Sequence, residues 1–146
     1  MSTLKYEFCS AGWIDQARVF LEAAAQGQDL SKVQLIFSEV FTGAPVHLNP
    51  DSHGRIGWYM RIHKGDLEVA AGIPAAADFR ITVDYQTILP VTRLVFEGNP
   101  EAMQEAGRIV SEAMADGRMT RDGDENEMAK VPWFIGLHDA MALQTA

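Results

Sequence analysis

Residues 78–100 have the sequence "DFRITVDYQTILPVTRLVFEGNP", in which a strand-like pattern passes into a helix-like one. Between residues 79 and 83, apolar and polar side chains alternate, as is typical of a half-buried strand. Asp84 follows, and its side chain can accept hydrogen bonds from the first N–H groups of a helix. The next segment, 85–96, is apolar at helical spacing but contains Pro90, which removes one backbone donor and bends a helix. The stretch therefore predicts a strand that leads directly into a short, bent, apolar helix.

The N-terminal part of the chain predicts one amphipathic helix followed by one strand. Ser10 is a suitable cap for a helix over residues 10–26, whose apolar stripe consists of Trp13, Ile14, Ala17, Phe20, Leu21 and Ala24. Residues 32–45 are rich in β-branched and aromatic side chains and predict a strand. Glu39 is a carboxylate in the middle of this apolar strand. An edge or solvent-facing position is one interpretation of Glu39, and an acid or base inside a cavity is the other.

The remaining segments predict a hairpin, two helices and a last strand. Residues 55–72 alternate around a turn at 63–66, with the apolar face formed by Ile56, Trp58, Met60, Ile62, Leu67, Val69 and Ala71. Asn99, Pro100 and Glu101 are typical of a helix start, and the predicted apolar face of this helix is Met103, Ala106, Val110 and Ala113. A strand is predicted at 117–123, and a last helix is predicted to begin at Pro132.

This order of elements predicts the α+β class. The strands are expected to form a mainly antiparallel, meandering sheet of about five strands, with helices covering one face. The chain has 146 residues and is 47% hydrophobic, which suits one globular domain over residues 1–146.

Composition narrows the range of partners and locations. The net charge is −8 and the basic residues are scattered, so nucleic acid is not an expected partner. No apolar run approaches the roughly 20 residues of a membrane span. The N-terminus lacks the pattern of a signal peptide, and a single cysteine, Cys9, is compatible with a reducing compartment. The sequence therefore predicts a cytoplasmic protein without a membrane span.

Motifs of catalysis and of metal binding are not found in the sequence. The four histidines do not occur at metal-ligand spacings, and a solvated loop is favoured over a metal site for His47, His53 and Asp51. The acidic segment 122–127, "DGDENE", lacks the distal Glu of a calcium loop. The sequence also lacks a nucleophile elbow, a dinucleotide-binding motif and a phosphate-binding loop. We therefore predict no cofactor and no metal, and we assign no catalytic residue.

An apolar cavity is a second interpretation of the helical half. Pro90 prevents a straight helix, and methionine side chains adapt to irregular shapes. Methionines occur at positions 60, 103, 114, 119, 128 and 141. Together these features suit a cavity for an apolar ligand, and the alternative is a core that uses methionine to fill gaps.

Three stretches resemble the sterol carrier protein 2 (SCP2-like) family. They are "IGWYMRIHKGDLEVAAGIPAAADFRITVDYQTIL", "GNPEAMQEAGRIV" and "MADGRMTRDGD". The family's strand-to-helix passage is matched by Ala77, Asp78, Thr82, Asp84 and Tyr85, and its last strand by Gly117, Arg118, Met119, Gly123 and Asp124. The resemblance covers about residues 45–141. The chain departs from the family in a longer segment before the last strand, in Pro90, and in Arg118 where a lysine is usual.

The resemblance implies a carrier with a tunnel for a sterol, a fatty acid or a fatty acyl-CoA. The helix after Val83 would then be a wall of that tunnel. We expect ligand contacts from Trp58, Met60, Phe79, Ile81, Ile88, Leu89, Val95, Met103, Met119, Phe134 and Met141. A non-enzymatic carrier is favoured. The alternatives are a small lyase, isomerase or hydrolase that uses a histidine and a carboxylate such as Glu39, and an accessory subunit that docks onto a larger enzyme; a homodimer is also possible.

Overall fold

The computed structural model describes residues 4–146, which contain a five-stranded sheet in the order β3-β2-β1-β4-β5. The strands are β1 (Leu35–Thr42), β2 (Ile56–His63), β3 (Asp66–Ala71), β4 (Phe79–Asp84) and β5 (Met119–Gly123). Three of the strand pairs are antiparallel, and β1 pairs with β4 in parallel. The α+β class and the mainly antiparallel sheet are therefore confirmed.

The expected meander is wrong at the pair β1–β4. After β3, residues 72–78 cross the sheet on the face opposite to Trp58, so that β4 lies on the far side of β1. The crossing is close: a Cβ atom on Gly57 would lie 2.7 Å from the Glu39 carbonyl oxygen and 3.1 Å from that of Gly72. A glycine at position 57 allows this approach. As a result β1 is the central strand of the sheet.

Residues 4–146 also form four α-helices. They are α1 (Ala11–Ala24), α2 (Tyr85–Thr92), α3 (Pro100–Asp116) and α4 (Leu137–Ala142). Short 3-10 helices span Val46–Leu48, Glu125–Lys130 and Pro132–Gly136. Ser10, Asp84 and Asn99 accept backbone hydrogen bonds at the starts of α1, α2 and α3. The caps that the sequence predicts are thus present.

Three helix predictions need correction. The helix that contains Pro90 ends at Thr92 and not at residue 96. The segment that begins at Pro132 is a 3-10 helix, and α4 starts only at Leu137. The buried face of α3 consists of Ala102, Ala106 and Ala113, whereas Met103 is 59% exposed. Small residues form the buried face because α3 packs closely against α2 and β5.

The strand-to-helix passage at residues 78–87 is held by side chains of its own. The Asp84 carboxylate accepts hydrogen bonds from Thr87 N at 3.0 Å and from Thr87 Oγ1 at 2.8 Å. The Tyr85 hydroxyl donates to the Phe8 carbonyl at 2.8 Å. Asp78 Oδ2 accepts from Ile36 N at 2.7 Å, which extends the pairing of β4 with β1. Acidic and aromatic residues at these positions therefore fix where α2 leaves the sheet.

The two ends of the described chain meet beside α1. Tyr6 and Thr145 form a parallel bridge, in which Tyr6 N donates to the Gln144 carbonyl at 2.7 Å and Ala146 N to the Tyr6 carbonyl at 2.8 Å. The Trp13 indole N–H donates to Thr145 Oγ1 at 3.1 Å. This contact joins α1 to the C-terminal segment.

Candidate functional site

A cavity of about 370 Å³ lies between the sheet and the C-terminal helices. Its floor includes Ile81 and Val83 from β4, and one wall includes Ile88 and Val91 from α2. Met119 on β5, the sheet partner of Val83, also lines the cavity. The other apolar lining residues come from the N-terminal part and the C-terminal segment: Phe8, Trp13, Phe134, Ile135, Leu137 and Met141. Ile135 lines the cavity and is 89% exposed, which places the opening beside it. Two apolar residues of the segment after Val83 are therefore among the lining residues of this cavity.

The residues predicted to contact a ligand have three different locations. Cavity-lining positions are occupied by Ile81, Ile88, Met119, Phe134 and Met141. Trp58, Met60 and Phe79 are buried in the core beside the cavity. Leu89 and Val95 are half-buried outside the lining, and Met103 is on the exposed surface of α3. The sequence missed Phe8, Trp13, Val83, Val91 and Leu137 as lining residues, because helical periodicity identifies an apolar face but not what that face encloses.

Glu39 lies in the floor of the cavity. It is in the central strand, and its lateral neighbours are Trp58 on β2 and Ile81 on β4. These residues are on the face of the sheet that the helices cover, so the edge or solvent-facing interpretation of Glu39 is wrong. The Trp58 indole N–H donates to Glu39 Oε1 at 3.1 Å. Among residues 4–146, no other side chain hydrogen-bonds to this carboxyl group and no cation forms an ion pair with it.

Burial in these apolar surroundings raises the pKa of Glu39 from 4.5 to about 7, and the hydrogen bond from Trp58 opposes the rise. The side chain keeps some accessible surface, and that surface is in the cavity. The site thus holds one carboxyl group that changes protonation near neutral pH.

Two other polar side chains line the cavity, Thr92 and His138. The Thr92 hydroxyl donates to the Leu89 carbonyl at 2.6 Å. His138 Nε2 is 2.7 Å from the Leu94 carbonyl, and its ring stacks on Phe96 with the ring centroids 4.0 Å apart. Both polar groups are therefore engaged with α2 or the segment that follows it.

Asp139 also holds this segment. Its carboxylate accepts hydrogen bonds from Phe96 N at 2.8 Å and from Glu97 N at 3.0 Å, and these bonds lower the pKa of Asp139. His138 and Asp139 thus position residues 94–97 and do not form a dyad with each other.

The other polar candidates from the sequence do not assemble into a reactive site. His47 pairs with Glu7 at 2.7 Å, whereas Asp51 caps its own loop through His53 N and Arg55 N. Cys9 is buried, and this burial raises the pKa of its thiol far above the usual range. In the described part of the chain, no group of three or more His, Cys, Asp or Glu side chains is placed to hold a metal ion. Between residues 4 and 146, no helix has both the length and the apolar content to cross a membrane.

The chain was compared with known families, curated proteins and solved structures. Neither a protein-family model nor a curated protein matches it. A crystal structure of sterol carrier protein 2 matches with 15% identity and a TM-score of 0.49, covering 96% of this chain and 100% of that one. A conserved hypothetical protein from Thermus thermophilus, described as possibly a sterol carrier protein, matches with 15% identity and a TM-score of 0.48, covering 99% and 97%. Palmitated sterol carrier protein 2-like 2 from Aedes aegypti matches with 17% identity and a TM-score of 0.45, covering 88% and 95%.

These solved structures are sterol carrier protein 2 domains or a protein described as possibly one, and their TM-scores lie between 0.45 and 0.49. The resemblance predicted from the sequence stretches is thus found again among solved structures. At these identities the likeness concerns the fold alone, so function has to be argued from the cavity of this chain.

Proposed function

We propose that this protein binds a hydrophobic small molecule in the cavity between the sheet and the helices. The observation that supports the proposal is a cavity of about 370 Å³ whose lining side chains are mostly apolar. Sites for small ligands are usually apolar concavities of about 300–1,000 Å³ with few polar groups. Glu39 provides one such polar group. A ligand would displace water from apolar walls, and this displacement is the main source of binding free energy.

The ligand classes that we propose are those implied by the sequence resemblance: sterols, fatty acids and fatty acyl-CoA. A role in transfer requires that the ligand enters and leaves through the opening beside Ile135, which is bounded by residues of the C-terminal segment. Docking onto a larger enzyme, self-association and a cytoplasmic location remain predictions from the sequence.

Displacement of a fluorescent fatty acid by each ligand class tests the binding proposal. We expect saturable displacement by at least one class, because an apolar cavity of this size is costly to leave filled with water. A variant that narrows the cavity, Val83→Phe, should weaken binding, whereas Val19→Phe on the exposed surface of α1 should not. If no class displaces the probe, and native mass spectrometry of the purified protein shows no bound compound, the proposal fails.

Replacement of Pro90 by alanine should show whether helix α2 forms a wall of the ligand cavity or is only part of the core. Pro90 is exposed, but it lies inside the eight-residue helix α2 between the lining residues Ile88 and Val91. Alanine restores a backbone donor, and proline in a helix interior is disfavoured by ~3 kcal/mol relative to alanine. We therefore expect a higher melting temperature and a changed rate of ligand exchange.

Gln86→Ala is the matched control for this change. Gln86 is exposed on the same helix, and alanine there increases helix propensity without altering the proline. If the rate of ligand exchange is equal in Pro90→Ala, in Gln86→Ala and in the unmodified protein, helix α2 does not control how the ligand enters and leaves the cavity.

A second candidate function is acid–base catalysis in the same cavity. It is favoured by the presence of both Glu39 and His138 in the lining and by the raised pKa of Glu39, since a general base works best near the operating pH. Chromatography of a bound ligand after prolonged incubation tests it. A chemically altered ligand, formed by the unmodified protein and not by Glu39→Gln, would support catalysis; an unaltered ligand would support the carrier.

A further inference from the structure

We propose that Glu39 selects the head group of the ligand, so that the cavity prefers an apolar molecule with a cationic amine head over one with a carboxylate head. This inference rests on the proposed function and ranks ligands of the same cavity: amines come first, alcohols such as sterols follow, and anionic fatty acids bind more weakly than either. One carboxyl group, that of Glu39, lies in the floor of the apolar cavity, where a bound ligand would contact it.

The carboxyl group has free capacity for hydrogen bonds. Glu39 Oε1 accepts from the Trp58 indole at 3.1 Å, and among residues 4–146 Oε2 has no donor of its own. Because an ionised carboxylate only accepts hydrogen bonds, a ligand must bring a donor to satisfy it. The Trp58 side chain is fully buried, which holds the first oxygen in place and leaves the second one for the accessible part of the site.

The electrostatics of the cavity favour a positive head group. No lysine or arginine lines the cavity, and the described residues provide no ion pair for Glu39. A buried charge without a partner is unfavourable, and a ligand ammonium would supply both the opposite charge and the donors. An alcohol supplies a donor without the charge. A carboxylate supplies neither and places two like charges side by side, so that one of them must first take up a proton.

The pKa of Glu39 is raised because its carboxyl group is buried without a neighbouring cation. Burial without a cation destabilises the ionised form, and a bound ammonium would remove much of that penalty. The titratable groups near Glu39 from the elements packed against it are Cys9, which interacts with it electrostatically, and His138, which shares the cavity lining. The Cys9 thiol is uncharged because burial raises its pKa far above the usual range, and His138 Nε2 is already engaged with the Leu94 carbonyl.

Three ligands of equal chain length test the inference: dodecylamine, dodecanol and dodecanoate. Their affinities should be measured by displacement of an uncharged fluorescent probe. The pH should be about 8, which is above the pKa of Glu39. The ligand concentrations should stay below those at which each ligand aggregates. We expect the amine to bind at least about tenfold more tightly than the carboxylate, with the alcohol between them. Glu39→Gln should remove most of this difference, because its amide keeps the size and the acceptor for Trp58 but carries no charge.

Glu22→Gln is the matched control. Glu22 is exposed on α1, and its replacement changes the net charge by the same amount at a distance from the cavity. This variant should keep the order of affinities. If all three ligands bind equally, or if Glu39→Gln leaves the order unchanged, the head-group inference is wrong while binding of apolar molecules stands. If none of the three binds, the head-group inference is wrong, whereas the displacement test with sterols, fatty acids and fatty acyl-CoA decides the proposed function separately.

Discussion

Between pH 4.5 and pH 7 the protein is expected to lose roughly 3 kcal/mol of its free energy of unfolding, and Glu39 is the reason. The pKa of Glu39 is about 7 in the folded protein, against an ordinary value of 4.5. In this window the folded state holds a proton that the unfolded state has released. The contribution of Glu39 to stability therefore falls as pH rises through the window and is level above it. Urea unfolding at a series of pH values measures the slope.

Glu39→Gln should abolish this slope. At about pH 8 the variant should be more stable than the unmodified protein, because an amide avoids the burial of a charge; at about pH 4 the two should be similar. The carboxyl groups with a lowered pKa, such as Asp51 and Asp139, change protonation below the window and are present in both proteins. An unmodified protein whose stability is constant from pH 4.5 to pH 7 would show that water reaches Glu39 freely.

Trp13→Ala should reduce the free energy of unfolding by about 3–5 kcal/mol, the usual loss for a buried tryptophan. The Trp13 ring packs edge-on against Phe8 and Trp58, with centroid distances of 5.0 Å and 5.9 Å. Its indole N–H also donates to the buried Thr145 hydroxyl at 3.1 Å. The substitution therefore enlarges the cavity and removes a hydrogen bond between α1 and the C-terminal segment at the same time.

Trp133→Ala is the comparison for this effect. Trp133 is only half-buried, packs against the edge of the core and does not line the cavity. We expect a clearly smaller loss from this variant. Chemical denaturation of both variants measures the difference, and equal losses would mean that Trp13 does not anchor the helices to the sheet.

Much of the fold was predictable because local rules act on individual residues. The hairpin β2–β3 is an example: Lys64 and Gly65 both have positive φ, 51° and 84°, in the two-residue turn between alternating strands. Ser10, Asp84 and Asn99 begin helices because their side chains accept backbone hydrogen bonds there. Each of these features depends on a few neighbouring residues, so each can be predicted from the sequence alone.

The partner of a strand and the contents of a cavity depend on distant residues. Both faces of β1 are largely covered, so its run "LIFSEVF" lacks the alternation that would show which way Glu39 points. The parallel pairing with β4 follows from the path of residues 72–78, which periodicity does not encode. Met103 illustrates the same limit, since a rotation of α3 by one residue exchanges it for Ala102 on the buried face.

The bridge between Tyr6 and Thr145 has a consequence for the order of events in folding. The sheet strands β1, β2, β3 and β4 all lie within residues 35–84, but the bridge joins segments from opposite ends of the described chain. Long loops close at a higher entropic cost than short ones, and contacts of this kind form late. During ribosomal synthesis, the Trp13 indole cannot form its hydrogen bond with Thr145 until Thr145 has emerged from the ribosome. The cavity is therefore completed only after the C-terminal segment leaves the ribosome, when its sheet floor can already be in place.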